Sequence, residues 1–145
     1  MNNNWDNRFM ELAKHIATWS KDTSTKVGCV IVNKDNRLLS QGYNGFPTGV
    51  DDSIEHRYSR PYKYDFTEHS ERNAIYNAAR IGVSLVDTTM YSTLFPCVDC
   101  TRAIIQSGIV RLVTYRPDFT HHKYGESWKI SLQMLGEVGV EVIYL

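Results

Sequence analysis

The sequence predicts an α/β domain in which one mixed β-sheet lies between two layers of helices. Helical and strand patterns alternate along the chain in the order αββαβαβαβ, two apolar runs flank a turn at residues 34–36, and a helix separates each later pair of strands. A hairpin followed by strand–helix–strand crossovers produces a mixed sheet with helices on both faces. The 145 residues suffice for one such domain, which we assign to residues 1–145.

The first predicted helix runs from Trp5 to Trp19, with Asn4 as its N-cap. Its apolar residues recur at helical spacing and therefore form one face. The next run, Val27–Val32, is rich in Val, Ile and Cys, which is typical of a buried strand. After the turn, Leu38–Gly42 is expected to return as the second strand of a hairpin.

The segment from Gly42 to Tyr64 shows no sustained period and is predicted to be a long loop with room for a helical turn. A loop of this length in a compact domain is usually functional. Beyond it, the predicted helices are His69–Ile81, Cys97–Ser107 and Ser127–Leu135, and the predicted strands are Thr89–Thr93, Ile109–Tyr115 and Val138–Leu145. The crossover helices begin at the carboxyl ends of parallel strands, where open α/β sheets bind ligands.

Charge, hydropathy and cysteine content exclude several classes of protein. Sixteen Lys and Arg residues balance sixteen Asp and Glu residues, so the strongly basic composition typical of proteins that bind long nucleic acids is missing. The sequence has no run of eighteen apolar residues, and its first six residues do not resemble a signal peptide. We therefore expect a cytoplasmic protein without membrane contacts, whose three cysteines stay reduced.

Two short motifs carry the predicted chemistry. Residues 69–71 (His-Ser-Glu) open one predicted helix, and residues 96–100 (Pro-Cys-Val-Asp-Cys) open another directly after a strand. One imidazole and two thiolates form a tetrahedral zinc site with one position left for water. Free N–H groups in the first turn of a helix favour the thiolate form of both cysteines. We predict one catalytic Zn²⁺ per chain, held by His69, Cys97 and Cys100.

Glu71 is the candidate proton shuttle. It lies two residues after His69, so it can approach the open coordination position without binding the metal. A carboxylate there can take a proton from activated water and deliver it elsewhere. The alternative is a closed structural zinc site with Cys29 or His56 as fourth ligand, although Cys29 lies in an apolar run that is typical of the core. The adjacent histidines at 121–122 could form a second metal site, but a solvated loop pair is the simpler interpretation.

The two motifs in this order match the His-x-Glu…Pro-Cys-x-x-Cys pattern of zinc nucleobase deaminases. The chain resembles the cytidine/deoxycytidylate deaminase superfamily and, within it, the deoxycytidylate (dCMP) deaminases. The resemblance runs from about Trp19 to Gly139, and beyond the zinc residues it is carried by segments 20–22, 26–28, 42–47, 73–75, 93–97 and 104–109. It implies a three-layer α/β/α cytidine deaminase-like fold with a five-stranded mixed sheet, assembly into a homo-oligomer, and hydrolysis of dCMP to dUMP and ammonia for thymidylate synthesis.

The resemblance also implies roles for residues around the metal. Asn44 is expected to hydrogen-bond the deoxyribose 3′-hydroxyl and Phe119 to lie over the base. The backbone N–H of Ser70, at a position where the family usually has Ala, is expected to bind the pyrimidine O2. Arg80 resembles a position linked to nucleotide regulation at subunit contacts, and the long loop resembles the segment where regulated members bind dCTP as activator and dTTP as inhibitor.

Other residues are candidates for binding the substrate phosphate. Some of the residues assigned above also have an alternative, purely structural interpretation. A 5′-phosphate needs cations or N–H donors. The candidates are Ser20, Lys21, Lys26 and Arg116, each of which could equally be a solvated surface group. Asn44 could instead close a turn, Phe119 could anchor its loop to the core, and Arg80 could stabilise a helix C-terminus.

Three functions remain in competition from the sequence alone. The first is a nucleotide deaminase that acts on dCMP or also on dCTP, and the second is a nucleic-acid deaminase such as a tRNA adenosine deaminase. The third is a zinc-stabilised binding module without catalysis. Zero net charge and the Gly-Tyr-Asn-Gly-Phe-Pro segment at 42–47 favour the nucleotide deaminase.

Overall fold

The computed structural model describes residues 4–145 and contains one five-stranded mixed sheet with helices on both faces, which confirms the predicted fold class. The helices are α1 (Asn4–Ala17), α2 (Tyr62–Phe66), α3 (Ser70–Ile81), α4 (Val98–Gln106) and α5 (Gly125–Glu137), and the strands are β1 (Gly28–Val32), β2 (Leu38–Tyr43), β3 (Thr89–Ser92), β4 (Arg111–Thr114) and β5 (Glu141–Tyr144). None of the helices within residues 4–145 has the length and hydropathy needed to cross a membrane.

The order of the strands brings the starts of α3 and α4 to the same edge of the sheet. The spatial order is β2-β1-β3-β4-β5, and β1 is antiparallel to both of its neighbours. Because β2 and β3 each oppose β1, they run in the same direction and their carboxyl ends meet at one edge. The chain enters α3 after β2 and the following loop, and it enters α4 directly after β3.

Alternating side chains of β1 divide the core between the two faces of the sheet. Cys29 and Ile31 belong to a buried cluster that also contains side chains of α3, α4 and α5. Val30 and Val32 belong to a second cluster with the apolar face of α1. All four side chains are at most 1% exposed. The period-two alternation of the strand therefore explains why helices cover both faces.

Helix α1 is fixed to the sheet by a buried ionic network as well as by apolar contacts. Asp6 is fully buried and accepts hydrogen bonds from the Tyr91 hydroxyl at 2.7 Å and from two nitrogens of Arg111 at 2.8 and 2.7 Å. Tyr91 belongs to β3 and Arg111 to β4. A buried carboxylate is stable only when it is paired and hydrogen-bonded in this way.

The observed boundaries differ from the predicted ones mainly at the ends of elements. Helix α1 ends at Ala17 instead of Trp19, and the last strand begins at Glu141 because the chain turns at Gly139, which has a φ of +77°. The long loop contains a 3₁₀ helix at Glu55–Tyr58 and the short helix α2, so it has more regular structure than one helical turn. In the structure this long loop covers residues 44–69, between β2 and α3, and an isolated antiparallel bridge joins Gly45 and Glu68 near its two ends.

A glycine-to-alanine pair tests the contact between α1 and β1. A Cβ atom on Gly28 would lie 1.9 Å from the Ala13 carbonyl oxygen, whereas a Cβ atom on Gly136 in α5 meets nothing within 4 Å. We expect Gly28→Ala to lower the free energy of unfolding by about 1–3 kcal/mol, because backbone atoms must move apart to admit the methyl group. Gly136→Ala should be neutral or raise it by up to about 1 kcal/mol. Urea denaturation of both variants measures the difference, and equal stability of the two would contradict the close approach.

Candidate metal centre and active-site cavity

Three potential metal ligands converge where α3 and α4 begin. His69 is the N-cap of α3, Cys97 is the N-cap of α4, and Cys100 lies in the first turn of α4. The Nδ1 atom of His69 is 3.4 Å from the Cys97 sulfur and 3.5 Å from the Cys100 sulfur. All three ligand atoms lie within 4.8 Å of one another.

This donor set fits zinc with three protein ligands. A tetrahedron built from the usual Zn–S and Zn–N bond lengths has edges of about 3.6–3.8 Å, close to the observed distances. Among residues 4–145, His69, Cys97 and Cys100 are the only cluster of three such side chains. The predicted alternatives do not join them, because Cys29 is buried in β1 and His56 lies in the 3₁₀ helix of the long loop.

The adjacent histidines at 121–122 do not form a second cluster of three ligands in the described part of the chain. Their rings stack on each other at 4.8 Å, and His121 also stacks on Tyr124 at 5.1 Å. The Nδ1 atom of His121 accepts hydrogen bonds from the backbone N–H groups of Lys123 and Tyr124. The pair therefore stabilises its own loop.

Hydrogen bonds already favour a thiolate at the metal centre. A hydrogen bond from the Cys100 thiol, followed by one from His69, lowers the pKa of Cys97 to about 4. The same pair interaction and burial raise the pKa of Cys100, so the proton shared by the two sulfurs stays on Cys100. Hydrogen bonding to Cys97 also raises the pKa of His69. A bound metal would take the place of these protons, because metals bind thiolates and neutral imidazole.

Glu71 is close to the metal ligands but is held by a different partner. It is only 4% exposed, and its Oε1 atom lies 2.8 Å from the Ser92 hydroxyl, whose single hydrogen is shared between this carboxylate and the Leu94 carbonyl, also at 2.8 Å. Ser92 is the last residue of β3 and is fully buried. The carboxylate is thus fixed from the sheet and stays outside the cluster of metal ligands, as a proton shuttle requires. The sequence offered no sign of Ser92, because the two residues are 21 positions apart.

Arg72 connects the two helices that carry the ligands. Its Nε atom is 2.6 Å from a carboxylate oxygen of Glu68, and its Nη1 atom is 3.5 Å from a carboxylate oxygen of Asp99. Glu68 precedes His69, and Asp99 lies between the two cysteines. Arg72 also places a positive charge beside the two sulfurs. Sequence reasoning missed this residue, because its contact with Asp99 depends on the fold.

A cavity of about 460 Å³ lies beside the metal centre, a volume typical of small-molecule sites. It is lined by Asp22, Thr25, Val27, Asn44, Lys63, Tyr64, Thr67, His69, Ser70, Glu71, Arg72, Leu94, Phe95, Cys97, Asp99, Tyr124 and Trp128. Two predicted metal ligands and the predicted shuttle are therefore exposed to the same space. The long loop contributes Lys63 and Tyr64, which gives this loop a place in the site.

The cavity is lined by aromatic residues other than Phe119, which the resemblance had placed over the base. Phe119 is absent from the lining and packs edge-on against Phe95, with ring centroids 5.9 Å apart. It therefore anchors its loop, which was the structural alternative. Tyr124 and Trp128, at the start of α5, line the cavity and contact each other at 5.6 Å. Their positions follow from the conformation of the loop between β4 and α5, which the sequence did not predict.

Asn44 lines the cavity and also has a structural role. Its Oδ1 atom accepts a hydrogen bond from the backbone N–H of Val27, and its Nδ2 atom donates to the carbonyl of Thr25, both at 2.8 Å. An amide side chain has two N–H groups and two oxygen lone pairs, so each end keeps bonding capacity. Ser20, a predicted phosphate ligand, is buried and donates to the Asn44 carbonyl at 2.7 Å. It supports the site and is not part of the cavity lining.

The predicted phosphate cations do not line the cavity either. Lys21 pairs with Asp52 at 2.9 Å beside a separate small cavity of about 50 Å³. Lys26 is exposed. The guanidinium of exposed Arg116 lies against the ring of Phe119, at 5.4 Å. The cations that do line the large cavity are Lys63 and Arg72.

Ser70 and Arg80 occupy opposite ends of α3. Ser70 lines the cavity, and its buried hydroxyl has no hydrogen-bond partner among the described residues. Arg80 is exposed in the last turn, close to the helix end at Gly82. It therefore lies at the opposite end of the helix from His69 and does not line the cavity, and its regulatory role stays a prediction.

Comparison with known proteins identifies a family with this type of site. The family model for the cytidine and deoxycytidylate deaminase zinc-binding region matches residues 3–116. An uncharacterized deaminase from Aliivibrio fischeri is 42% identical over 144 residues, which cover 97% of this chain and 93% of the relative. The deoxycytidylate deaminase of Homo sapiens is 36% identical over 130 residues, which cover 85% of this chain and 68% of the relative.

A solved structure extends the similarity to the whole fold. The dCMP deaminase of cyanophage S-TIM5, crystallised in complex with dCMP and dUMP, superposes with a TM-score of 0.80 and 25% identity. The alignment covers 100% of this chain and 99% of the cyanophage chain.

Removal of metal tests the assignment of the ligands. We expect one zinc per chain by elemental analysis, and loss of zinc after Cys97→Ser or Cys100→Ser. Cys29→Ala is the control, because Cys29 is the thiol outside the cluster. Chelation should lower the melting temperature by about 2–4 °C for each kcal/mol of binding free energy that is lost, because the metal joins two helix starts. A Cys29→Ala protein without zinc would indicate a fourth protein ligand, and an unchanged melting curve after verified metal removal would exclude a structural contribution.

Proposed function

The chain belongs to the cytidine and deoxycytidylate deaminase family, and we propose that it is a zinc-dependent enzyme that hydrolyses dCMP to dUMP and ammonia. The observation that carries the proposal is the presence of His69, Cys97 and Glu71 in the lining of one cavity, with Cys100 completing the metal cluster. A binding module would need the ligands but not a fixed, buried carboxylate beside them.

Different residues of the site bind the metal and transfer the protons. Zinc held by His69, Cys97 and Cys100 would supply a Lewis acid that lowers the pKa of water to about 7. Ser92 holds one oxygen of Glu71, and we assign proton transfer to the other oxygen. Glu71 takes one proton from water and delivers it to N3 of cytosine while the water oxygen bonds to C4. It then moves the second proton of that oxygen to the amino nitrogen, and the bond between C4 and this nitrogen breaks. The water oxygen replaces the amino nitrogen, so dCMP and water give dUMP and ammonia.

Other groups of the cavity would orient the nucleotide. The Ser70 backbone N–H lies at the start of α3 and suits the pyrimidine O2, since helix N-termini bind partial negative charge. Tyr124 and Trp128 supply flat surfaces for the base. The remaining N–H of Asn44 is available to the 3′-hydroxyl of the sugar.

A nucleotide is the preferred substrate class over a nucleic acid. The zero net charge provides no broad electrostatic attraction for an RNA backbone. The cavity is formed partly by the folded long loop, through Lys63, Tyr64 and Thr67, and encloses space on the scale of one nucleotide. A tRNA adenosine deaminase and a deaminase that also accepts dCTP are the alternatives that the substrate test below distinguishes.

Regulation, assembly and location complete the proposal. The enzyme would supply dUMP for thymidylate synthesis as a homo-oligomer in the cytoplasm, where its free cysteines stay reduced. dCTP and dTTP are the proposed effectors, with the long loop or Arg80 as their site. Arg80 is exposed and has no described role in the cavity, which leaves it available to a nucleotide or a second subunit.

Replacement of Glu71 separates catalysis from metal binding. We expect Glu71→Gln to keep zinc and the melting temperature but to lower kcat for dCMP by about 10²- to 10⁴-fold, because glutamine cannot carry the proton. Glu126→Gln is the matched control, since Glu126 is exposed on α5 and pairs only with Lys129 in the described structure. Deamination at the normal rate by Glu71→Gln would make the shuttle assignment wrong.

The substrate class is tested by absorbance-monitored deamination of cytidine, deoxycytidine, dCMP, dCTP and a tRNA anticodon hairpin. We expect turnover of dCMP well above that of deoxycytidine, because a phosphate group adds charge-assisted hydrogen bonds. Addition of dCTP or dTTP to the dCMP assay tests regulation. Activity on the hairpin alone would replace the proposed substrate, and zinc-loaded protein inactive on all five compounds would favour the binding module.

A further inference from the structure

The cavity contains two positively charged side chains among its described lining residues, Lys63 and Arg72. A nucleoside monophosphate carries its phosphate on the sugar, at the far end of the molecule from the amino group that reacts. The group that binds the phosphate should therefore lie away from the metal ligands. The positions of the two cations distinguish them in this respect.

Arg72 belongs to the reacting end of the cavity. It is adjacent in sequence to Glu71, and its guanidinium contacts the carboxylates of Glu68 and Asp99, which flank the metal ligands in the chain. Two carboxylates, at 2.6 and 3.5 Å, therefore already share its positive charge. Arg72 is thus placed to hold α3 and α4 together, and a phosphate there would compete with two existing ion pairs.

Lys63 lies in α2, within the long loop, and pairs with a single carboxylate. Its Nζ atom is 3.0 Å from Oδ2 and 3.2 Å from Oδ1 of Asp22. The side chains of Lys63 and Asp22 are only 11% and 7% exposed. An ammonium has three N–H donors, so two contacts with Asp22 leave one donor for a third oxygen.

Asp22 is held as an anion by its surroundings. Burial by itself would raise its pKa, but backbone N–H groups of Ser24 and Thr25 and the Lys63 ammonium together lower the pKa of Asp22 below its usual value. The hydrogen bonds from Ser24 and Thr25 measure 2.8 and 3.1 Å. Asp22 therefore fixes the Lys63 ammonium in one place, as a pre-organised binding group requires.

Hydrogen bonds place Lys63 next to the sugar side of the site. Asn44, the proposed partner of the 3′-hydroxyl, donates to the carbonyl of Thr25, and the N–H of Thr25 donates to Asp22. All four residues line the cavity. We propose that Lys63 binds the 5′-phosphate of the nucleotide and so sets the preference of the enzyme for a nucleotide over a nucleoside. This assignment rests on the proposed function, and it replaces the lysines and arginine that the sequence suggested.

A purely structural role for Lys63 does not explain why its ammonium is buried beside the cavity. The long loop is already closed by the bridge between Gly45 and Glu68 and fastened by the Lys21–Asp52 ion pair. Burial of a lysine beside a cavity costs desolvation energy that an exposed pair such as Lys21–Asp52 does not. A phosphate in the cavity would supply the additional negative charge that this buried cation can bind.

The test compares Lys63→Met with Lys63→Arg, which restores the positive charge. Steady-state kinetics are measured on dCMP and deoxycytidine, and the Kd for the product dUMP is measured by calorimetry on zinc-loaded protein. We expect Lys63→Met to raise KM for dCMP and Kd for dUMP about 10- to 100-fold, as for loss of a charge-assisted hydrogen bond. Lys63→Arg should recover most of the affinity, and kcat/KM for deoxycytidine should change little in either variant.

Controls separate a phosphate contact from a general loss of structure. Lys14→Met removes an exposed lysine that pairs with Glu11 on α1 and should leave every parameter unchanged. Lys21→Met and Lys26→Met test the earlier candidates in the same assays. Unchanged dUMP affinity in Lys63→Met, or a larger loss in Lys21→Met or Lys26→Met, would overturn the assignment. A parallel loss of dCMP and deoxycytidine turnover would also overturn it, whereas wild-type protein inactive on dCMP would refute the proposed function itself.

Discussion

The sulfur of Cys97 accepts a hydrogen bond from the backbone N–H of Cys100 at the start of α4, and the organisation of the site depends on this helix N-terminus. The first turn of a helix has N–H groups without partners inside the helix, and these groups favour a negative sulfur. His69 takes the same N-cap position in α3. Two helix starts therefore supply all three ligands, and the backbone geometry of each helix fixes the spacing of its ligands.

Strand β1 is what brings these two helix starts together. It opposes both β2 and β3, so the strands that precede α3 and α4 end at the same edge, about two strand spacings apart. The first turn of α3 also carries Glu71, and the last residue of β3 carries Ser92, which holds the carboxylate. Arg72 then crosses to Asp99 between the two cysteines. With a divalent metal present, two thiolates and Glu71 would leave an excess of negative charge, and Arg72, which lines the same cavity, places a compensating positive charge beside it.

The cluster of metal ligands could be predicted from the sequence because each motif is local, and the position of Glu71, the proposed shuttle, follows from the same motif. His69 and Glu71 are two residues apart, and Cys97 and Cys100 are three apart. The geometry of the first helical turn then fixes the relative positions of the two side chains in each motif. The alternation of strands and helices predicted the sheet for the same reason, since periodicity is also a local property. Ser92, Arg72 and Trp128 could not be found in this way. Their roles depend on contacts between elements far apart in the chain. Sequence also could not choose between the two roles considered for Phe119, because it lies in an aperiodic loop whose path turns that ring toward Phe95.

In the proposed enzyme, recognition of the phosphate depends on a different part of the chain from the chemistry. The metal centre is built from the ends of regular elements, whereas Asp22, Thr25 and Lys63 belong to the loop before β1 and to the short helix in the long loop. Elements of the sheet hold the reacting atoms in fixed positions, while loops change with little cost to the core. A lysine in the loop can therefore select for a phosphate without altering the first turn of either ligand-bearing helix. The Asp22–Lys63 pair makes this selection compatible with stability, because the carboxylate keeps the buried ammonium paired whether or not a phosphate is bound.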